Sequence, residues 1–433
     1  MQQAFDAMTP RPLDPPPTPV APVDTARRTE ILETAASLIA SSGMRTSLKE
    51  IADACGILPG SLYHHFDSKE AILVELIEQY RADLDGLAEQ VHDRLHHQPD
   101  CPLDEQVVTL AKEMAACALR HRAALLLTFY EPPSGAGAEM VRAAQRIPTA
   151  VTTATLEVFR AGRERGYIRD GIDLETLADR FCQAMLHISL GVIGDLPGAD
   201  RVPEIRSRIL FDGIATASPG DERLDRSAAM TAARRTIESW DNAGRSEDER
   251  FAMLRSVARA EFGRKGYEAT TVRDIASAAG LSTGSVYRLV GSKDELLSTI
   301  MQSFVDRVRT AWRDVLTSDS TALEKLDALM WTDINVVDRF SDEFNIQVAW
   351  LRESPPASSS LGLSFTARLR DVKALLAEGS RTGEIALTSP TADLRAWSLF
   401  ELLWIPENIV RAQNPSGALD LARNTVLRGA AQR

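Results

Sequence analysis

At 433 residues, with 44% hydrophobic and 25% charged positions, the chain is long enough for two or more globular domains with cores of their own, and too apolar for a disordered protein. Its formal charge of −12 excludes a broad, sequence-blind coat on nucleic acid, which needs basic residues throughout. No uninterrupted run of about 18 apolar residues occurs, and the N-terminus lacks both the basic start and the apolar stretch of a signal peptide, so a cytoplasmic protein with no membrane span is expected. The four cysteines, Cys55, Cys101, Cys117 and Cys182, show no CxxC spacing and read as buried or free thiols, not as a zinc module or a disulfide framework.

Taken in chain order, residues 1–26 hold seven prolines, including Pro15-Pro16-Pro17, and predict an extended, disordered tail. Ile31, Ala35, Leu38 and Ile39 then form one apolar stripe of a helix that Gly43 ends. Ser47 and Glu50 make a capping box for a short helix over 48–54, Gly56 supplies the tight turn, and Pro59 suits the first turn of a second short helix to about Phe66. Short helix, glycine turn, short helix is the helix-turn-helix layout, whose second helix enters the major groove of DNA. Helical periodicity continues over 70–97, 104–130, 138–164, 174–194 and 203–215.

Residues 217–247 begin and end with turn-forming and charged residues around a helix near 226–240, and read as an interdomain linker. The helix-turn-helix layout then returns. At an offset of 224, residues 46–73 and 270–297 agree at 11 of 28 positions, among them Thr46/Thr270, Gly56/Gly280, Ser61/Ser285, Tyr63/Tyr287 and Lys69/Lys293. In this second copy Thr271 and Asp274 form the box, Gly280 the turn, and Ser282 the cap before 283–290. Helices follow over 294–315, 321–339, 342–352, 364–382, 391–411 and 417–429. Gly166-Tyr167-Ile168 recurs as Gly383-Glu384-Ile385 before the later helices of each half. The predicted fold is therefore all-α, two tandem units divided as 27–73 and 74–216, then 248–297 and 298–433.

Charge follows the same division. Residues 27–69 are balanced at five basic and five acidic, and 245–293 carry nine against six, so these windows total +3 and leave −15 for the rest. An acidic body with neutral-to-basic heads fits a protein that touches DNA only at its heads. Other constellations have plainer accounts. His92 and His96 have the i, i+4 spacing of a metal pair near His97 and Cys101, but a solvated helix end accounts for them. Gly135-Ala136-Gly137 lacks the preceding strand of a phosphate loop, and no G-x-S-x-G or H-E-x-x-H is present. No enzymatic activity, cofactor or metal is expected.

Both 46–69 and 270–293 resemble the signature of the TetR family, the first almost completely; the second departs where His65-Phe66 becomes Leu289-Val290 and Asp67 becomes Gly291. The resemblance implies a three-helix DNA-binding head joined to an all-helical ligand-binding body, working as a dimeric repressor released by a small molecule. By position, Pro59, Gly60, Ser61 and His64 would face the groove, with Thr46, Tyr63, His65 and Lys69 on phosphates. In the second head Thr283, Gly284, Ser285 and Arg288 would face the groove, with Thr270, Tyr287 and Lys293 on phosphates. Arg288 has the donors to pair with guanine.

The implied partners are double-stranded operator DNA and a small apolar, lipid-like effector. Trp331, Trp350, Phe400 and Trp404 are the candidates to line its pocket. The last two helices of each body would pair within one chain, giving a monomeric pseudo-dimer or, if two chains pair further, a homodimer. The expected function is a repressor on an operator with two unlike half-sites. Two alternatives stay open: an activator or co-regulator using only the first head, and a helical ligand-binding protein with vestigial heads.

Overall fold

The computed structural model describes residues 22–42, 46–97, 101–128, 131–132, 136–145, 149–187, 197–240, 249–267, 269–352 and 360–432. Every regular element among them is helical, and β pairing is confined to two isolated bridges. The first head is α1 (Pro22–Ser42), α2 (Leu48–Ala54) and α3 (Pro59–Leu62). Residues 22–26, expected in the tail, open α1, where a proline at the first position loses no helical hydrogen bond. Gly43, the expected stop, and the rest of the tail lie outside the described residues.

The first body is built on α4 (Lys69–His97), with α5 (Leu103–Arg120), α6 (Arg122–Thr128), α7 (Ala138–Gln145), α8 (Thr149–Glu164), α9 (Leu174–Leu186) and α10 (Val202–Asp212). Helix α4 buries Ile72, Leu73, Leu76, Ile77, Tyr80, Leu84, Leu87 and Val91, a stripe at helical spacing. The helix expected over 104–130 is broken at His121, whose φ of −105° and ψ of 31° leave the helical region. In place of tryptophan, Phe159, Phe181, Phe211 and Tyr167 fill this core with ring centroids 5.3–6.1 Å apart.

Residues 221–240, within the expected linker, form α11 (Asp221–Asp225) and α12 (Ala228–Trp240). Helix α12 buries Ala229, Met230, Ala233, Ile237 and Trp240 against two helices of the second body, α16 (Lys293–Leu316) and α17 (Ala322–Arg339). The second head precedes them as α13 (Glu249–Lys265), α14 (Val272–Ala278) and α15 (Thr283–Val290). The body continues with α18 (Ser341–Arg352), α19 (Ser360–Thr382), α20 (Ala392–Phe400) and α21 (Glu407–Ala422), and ends in a π turn over Arg423–Leu427. The helix expected over 391–411 is split, because Pro406 offers no N–H to continue the ladder; α21 is broken again at Asn414 (φ 59°) before Pro415.

The two bodies pair within the chain. Helices α9 and α10 pack against α20, α21 and the π turn. Beyond them the chain ends exchange reciprocally. Ile214 N donates to Val426 O (2.9 Å) and Ala430 N to Leu210 O (2.9 Å); Ala215 N donates to Leu427 O (3.0 Å) and Ala431 N to Phe211 O (2.8 Å). Thr216 N then reaches Glu384 O (3.0 Å), and Gln432 N reaches Tyr167 O (2.8 Å), so each arm docks on the Gly-x-Ile loop of the other unit. Gly213 (φ 69°) and Gly429 (φ 80°) stand at the crossing, and a Cβ on either would lie 2.3–2.6 Å from the other arm's backbone.

A buried ion network ties α11 to the second body. Arg423 holds Asp327 in a bidentate pair through one edge of its guanidinium (Nε–Oδ1 2.8 Å, Nη2–Oδ2 2.9 Å), and Asp225 lies 3.0 Å from Nη2. All four cysteines are free; burial pushes the thiols of Cys117 and Cys182 up to about 11, which keeps them protonated at neutral pH.

Candidate nucleic-acid interface and cavities

The two heads repeat one local design. Ser47 Oγ accepts from Glu50 N (3.2 Å), while Glu50 accepts from Ser47 N (2.6 Å); Thr271 and Asp274 do the same at 3.1 and 2.8 Å. Gly56 (φ 67°) and Gly280 (φ 64°) turn the chain, and Ile57 N and Leu281 N close the turn onto Ala52 O and Ala276 O. Ile51, Ala52 and Leu62 in one head, and Ile275, Ala276 and Val286 in the other, bury the inner faces. In the first head α3 ends at Leu62, short of the expected Phe66, and Arg28 lies over the Phe66 ring at 4.1 Å and is bonded to His65 O and Glu75, fixing the turns after α3 to α1 and α4.

The outer faces carry most of the expected DNA contacts. Pro59, Gly60, Tyr63 and His64 are exposed and Ser61 and His65 half-exposed; in the second head Thr283, Gly284, Tyr287 and Arg288 are exposed and Ser285 half-exposed. Tyr63 and Tyr287, at 53% and 52% exposure, match closely, which a core role for either would not allow. Arg288 folds back on its own helix, with Nε donating to Gly284 O and Nη2 to Ser285 Oγ, both at 3.3 Å.

Thr46, Thr270 and Lys293, expected on phosphates, have their side-chain donors on backbone carbonyls in this structure. The two threonines are 3% and 1% exposed, and their hydroxyls are spent on backbone: Thr46 Oγ1 on Leu38 O (3.4 Å), Thr270 Oγ1 on Gly266 O (2.8 Å) and Glu261 O (3.1 Å). Lys293 Nζ donates to Tyr267 O (2.7 Å) and Thr270 O (2.9 Å) and sits 4.0 Å from the Tyr267 ring centre, so it locks the turn between α13 and α14 to the start of α16. Lys69 is half-buried at the start of α4; burial holds its ammonium below the usual range, opposed by Glu50.

Sequence reasoning missed Leu58, 76% exposed at the head of α3, and the exposed Lys49 and Arg273 in the first turns of α2 and α14. The signal for Leu58 was available: an apolar residue occupies a cap position where the repeat has Ser282. An exposed leucine there has the chemistry to meet a thymine methyl.

Two cavities lie away from the exposed faces of the heads. One, of about 550 Å³, opens between α16 and α19 and is lined by Val305, Trp312, Leu316, Arg368 and Asp371. Behind it Trp312 Nε1 donates to Asp333 (3.0 Å), and the Arg368 guanidinium lies 5.5–5.8 Å from the Trp312, Phe365 and Phe400 rings. Burial pushes the Asp333 carboxyl up to about 6, against the pull of Arg368. Of the expected pocket aromatics, Phe400 is fully buried with Trp404 5.7 Å away. Trp331 is half-buried on α17 with no ring contact to them among the described residues, and the Trp350 side chain lies outside those residues. Trp404 lines the second cavity, about 370 Å³, between the bodies.

Paired helix-turn-helix heads, each followed by a helical body that pairs with the other, define a class of helical regulators. Residues 31–76 and 254–300 each match the family model of bacterial regulatory proteins, tetR family. The chain therefore carries the N-terminal unit of that family twice, in tandem. It is 49% identical over 75 residues to the HTH-type transcriptional repressor KstR2 of Rhodococcus jostii, covering 17% of this chain and 37% of that protein. It is 26% identical over 204 residues to the HTH-type transcriptional regulator UidR of Escherichia coli, covering 44% of this chain and 94% of that protein. Among solved structures it matches the ketosteroid transcriptional regulator KstR2 of Mycobacterium tuberculosis at 25% identity and a TM-score of 0.35, over 42% of this chain and 92% of that one. The chain spans between 37% and 48% of the length of the first curated relatives it matches. Among the described residues no helix is long and apolar enough to cross a membrane.

Proposed function

We propose that this chain is a sequence-specific transcriptional repressor that grips double-stranded DNA with both heads as an intramolecular pseudo-dimer. The observation that carries the reading is the reciprocal pairing of the two bodies about Gly213 and Gly429, which gives one chain the two-headed form that a helix-turn-helix protein needs to occupy two half-sites. Exposed Tyr63, His64 and Leu58 on one head, and Tyr287, Arg288 and Thr283 on the other, present unlike groups, so the half-sites differ. The repressor sense comes from the named relatives. The cavity beside Trp312 and Arg368 is suited to a mostly apolar effector, and a preference of about 3 kcal/mol for a spread-head state releases DNA roughly 150-fold.

The test is selection of bound genomic fragments by the purified chain, followed by anisotropy titrations of the winning fragment with scrambled DNA as control. Tight, selective binding that weakens on Tyr63→Phe and on Tyr287→Phe supports the two-headed reading; equal, weak binding to both DNAs overturns it. A second reading, with only the first head on DNA, is favoured by Leu289 and Val290, which offer no polar side chain where the first head has His65. Under it Tyr287→Phe leaves affinity unchanged.

A further inference from the structure

The cavity between the bodies is lined by a buried cation that makes no ion pair among the described residues. Arg180, on α9, is 2% exposed; Nη2 donates across the interface to Leu402 O (3.1 Å), while Nη1 is buried without a hydrogen-bond partner among the described residues. The acids that line the same cavity pair with other arginines, Glu401 through Oε2 with Arg206 and Glu407 with Arg411, while Glu401 Oε1 is buried without a hydrogen-bond partner among the described residues. Burial pushes the Arg180 guanidinium down to about 9, which still leaves it charged at neutral pH. A buried ion is ordinarily paired, so a guanidinium that lines a cavity and keeps one nitrogen without a partner among the described residues is a half-built ion pair.

The walls restrict what completes it. Trp404, Phe344 and Val348 offer apolar surface, and a space of about 370 Å³ is within the size of small-molecule sites. One guanidinium balances one charge, whereas a dianion would leave a second charge buried beside Glu401 and Glu407. The geometry points to a small apolar carboxylate as ligand, its carboxylate on Arg180 and its hydrocarbon against Trp404, Phe344 and Val348. Such a ligand would touch the first body through Arg180, the second through α18, and the second head through Gly263 on α13. It would thereby sense how that head sits relative to the first body. This regulatory sense, though not the binding itself, rests on the repressor reading. The site should occur once per chain: Arg180 stands seven residues after Asp173, and the residue seven after Asp393 in the second body is Phe400, which carries no charge.

The experiment is calorimetric titration of the full chain with butanoate, hexanoate, octanoate and decanoate, and with the matching alcohols. The expected result is one saturable site that prefers an acid over its alcohol by about tenfold to a hundredfold, the worth of a charge-assisted hydrogen bond. Arg180→Met should bring the acid down to the level of the alcohol while melting no lower than the unliganded parent. Ala184→Leu, which fills the cavity and keeps the guanidinium, should abolish binding of both and serves if the first variant does not fold. Equal affinity for acid and alcohol, unchanged acid binding in either variant, or no saturable binding of any acid overturns the proposal. DNA binding is read separately on ligand-free protein, so its loss would sink the repressor reading without touching the carboxylate site, and the reverse.

Discussion

Gly213 and Gly429 are the residues at which the two units pass one another. Each combines a left-handed φ with a backbone neighbour where a side chain would stand, so alanine meets both strain and collision. Gly429→Ala should destabilise the protein by roughly 2–5 kcal/mol, adding a strained conformation to overpacking. Gly417→Ala, at a glycine without positive φ whose Cβ would meet only the Gln413 side chain within 4 Å, should cost little. Thermal unfolding of the two variants side by side makes the comparison, and equal melting temperatures would show that the arms can separate freely.

A second residue-scale expectation concerns Asp333. Its folded-state carboxyl lies at about 6 against an ordinary value of 3.8, chiefly through burial, so the native state binds the extra proton between those values. Stability from this group is therefore greatest below pH 4, falls as pH rises to about 6, and is level above. The parent should lose about 3 kcal/mol relative to Asp333→Asn across that window, the linkage value of about two pH units. Asparagine keeps an acceptor for Trp312 Nε1, and urea unfolding at a series of pH values is the measurement. Parallel pH profiles for the two proteins would mean that the buried carboxyl titrates normally.

At the scale of elements, the short helices and turns of the heads were legible because their causes are local. A hydroxyl three residues before an acid, a glycine after a short helix and a proline in a first turn each act within a few residues. The roles of Thr270 and Lys293 were not legible, since what they bind are carbonyls brought near by tertiary packing, and a phosphate donor has the same residue types. The role of α12 was hidden similarly: its apolar face reads as an isolated amphipathic stretch until α16 and α17 cover it. Its neighbour α11 is fastened by the Arg423 network. Asp327→Ala should cost about 3–5 kcal/mol, because it strands a buried guanidinium. Asp225→Ala, at the exposed rim of the same network, should cost under about 1 kcal/mol. Urea unfolding of both variants measures the gap, and comparable losses would show that the network acts as one surface cluster instead of a buried pair with an exposed fringe.

For the whole molecule, the twofold relation survives in the backbone while the side chains have diverged. The arms exchange equivalent hydrogen bonds, yet the first core is phenylalanine-rich and the second is built around Trp312, Phe365, Trp397, Phe400 and Trp404. Two separate identical chains could not hold such unlike halves in a fixed pair; one covalent chain can, because pairing is intramolecular and its partner is always at high effective concentration. The melting temperature should therefore stay constant from sub-micromolar to tens of micromolar protein, whereas a fold completed by a second chain melts higher as concentration rises. Scanning calorimetry over that range, with light scattering for mass, decides between the pseudo-dimer and a homodimer. A rising melting temperature with doubled mass would place a further interface outside the arms, and the two heads of one chain would then be only half of those arrayed on DNA.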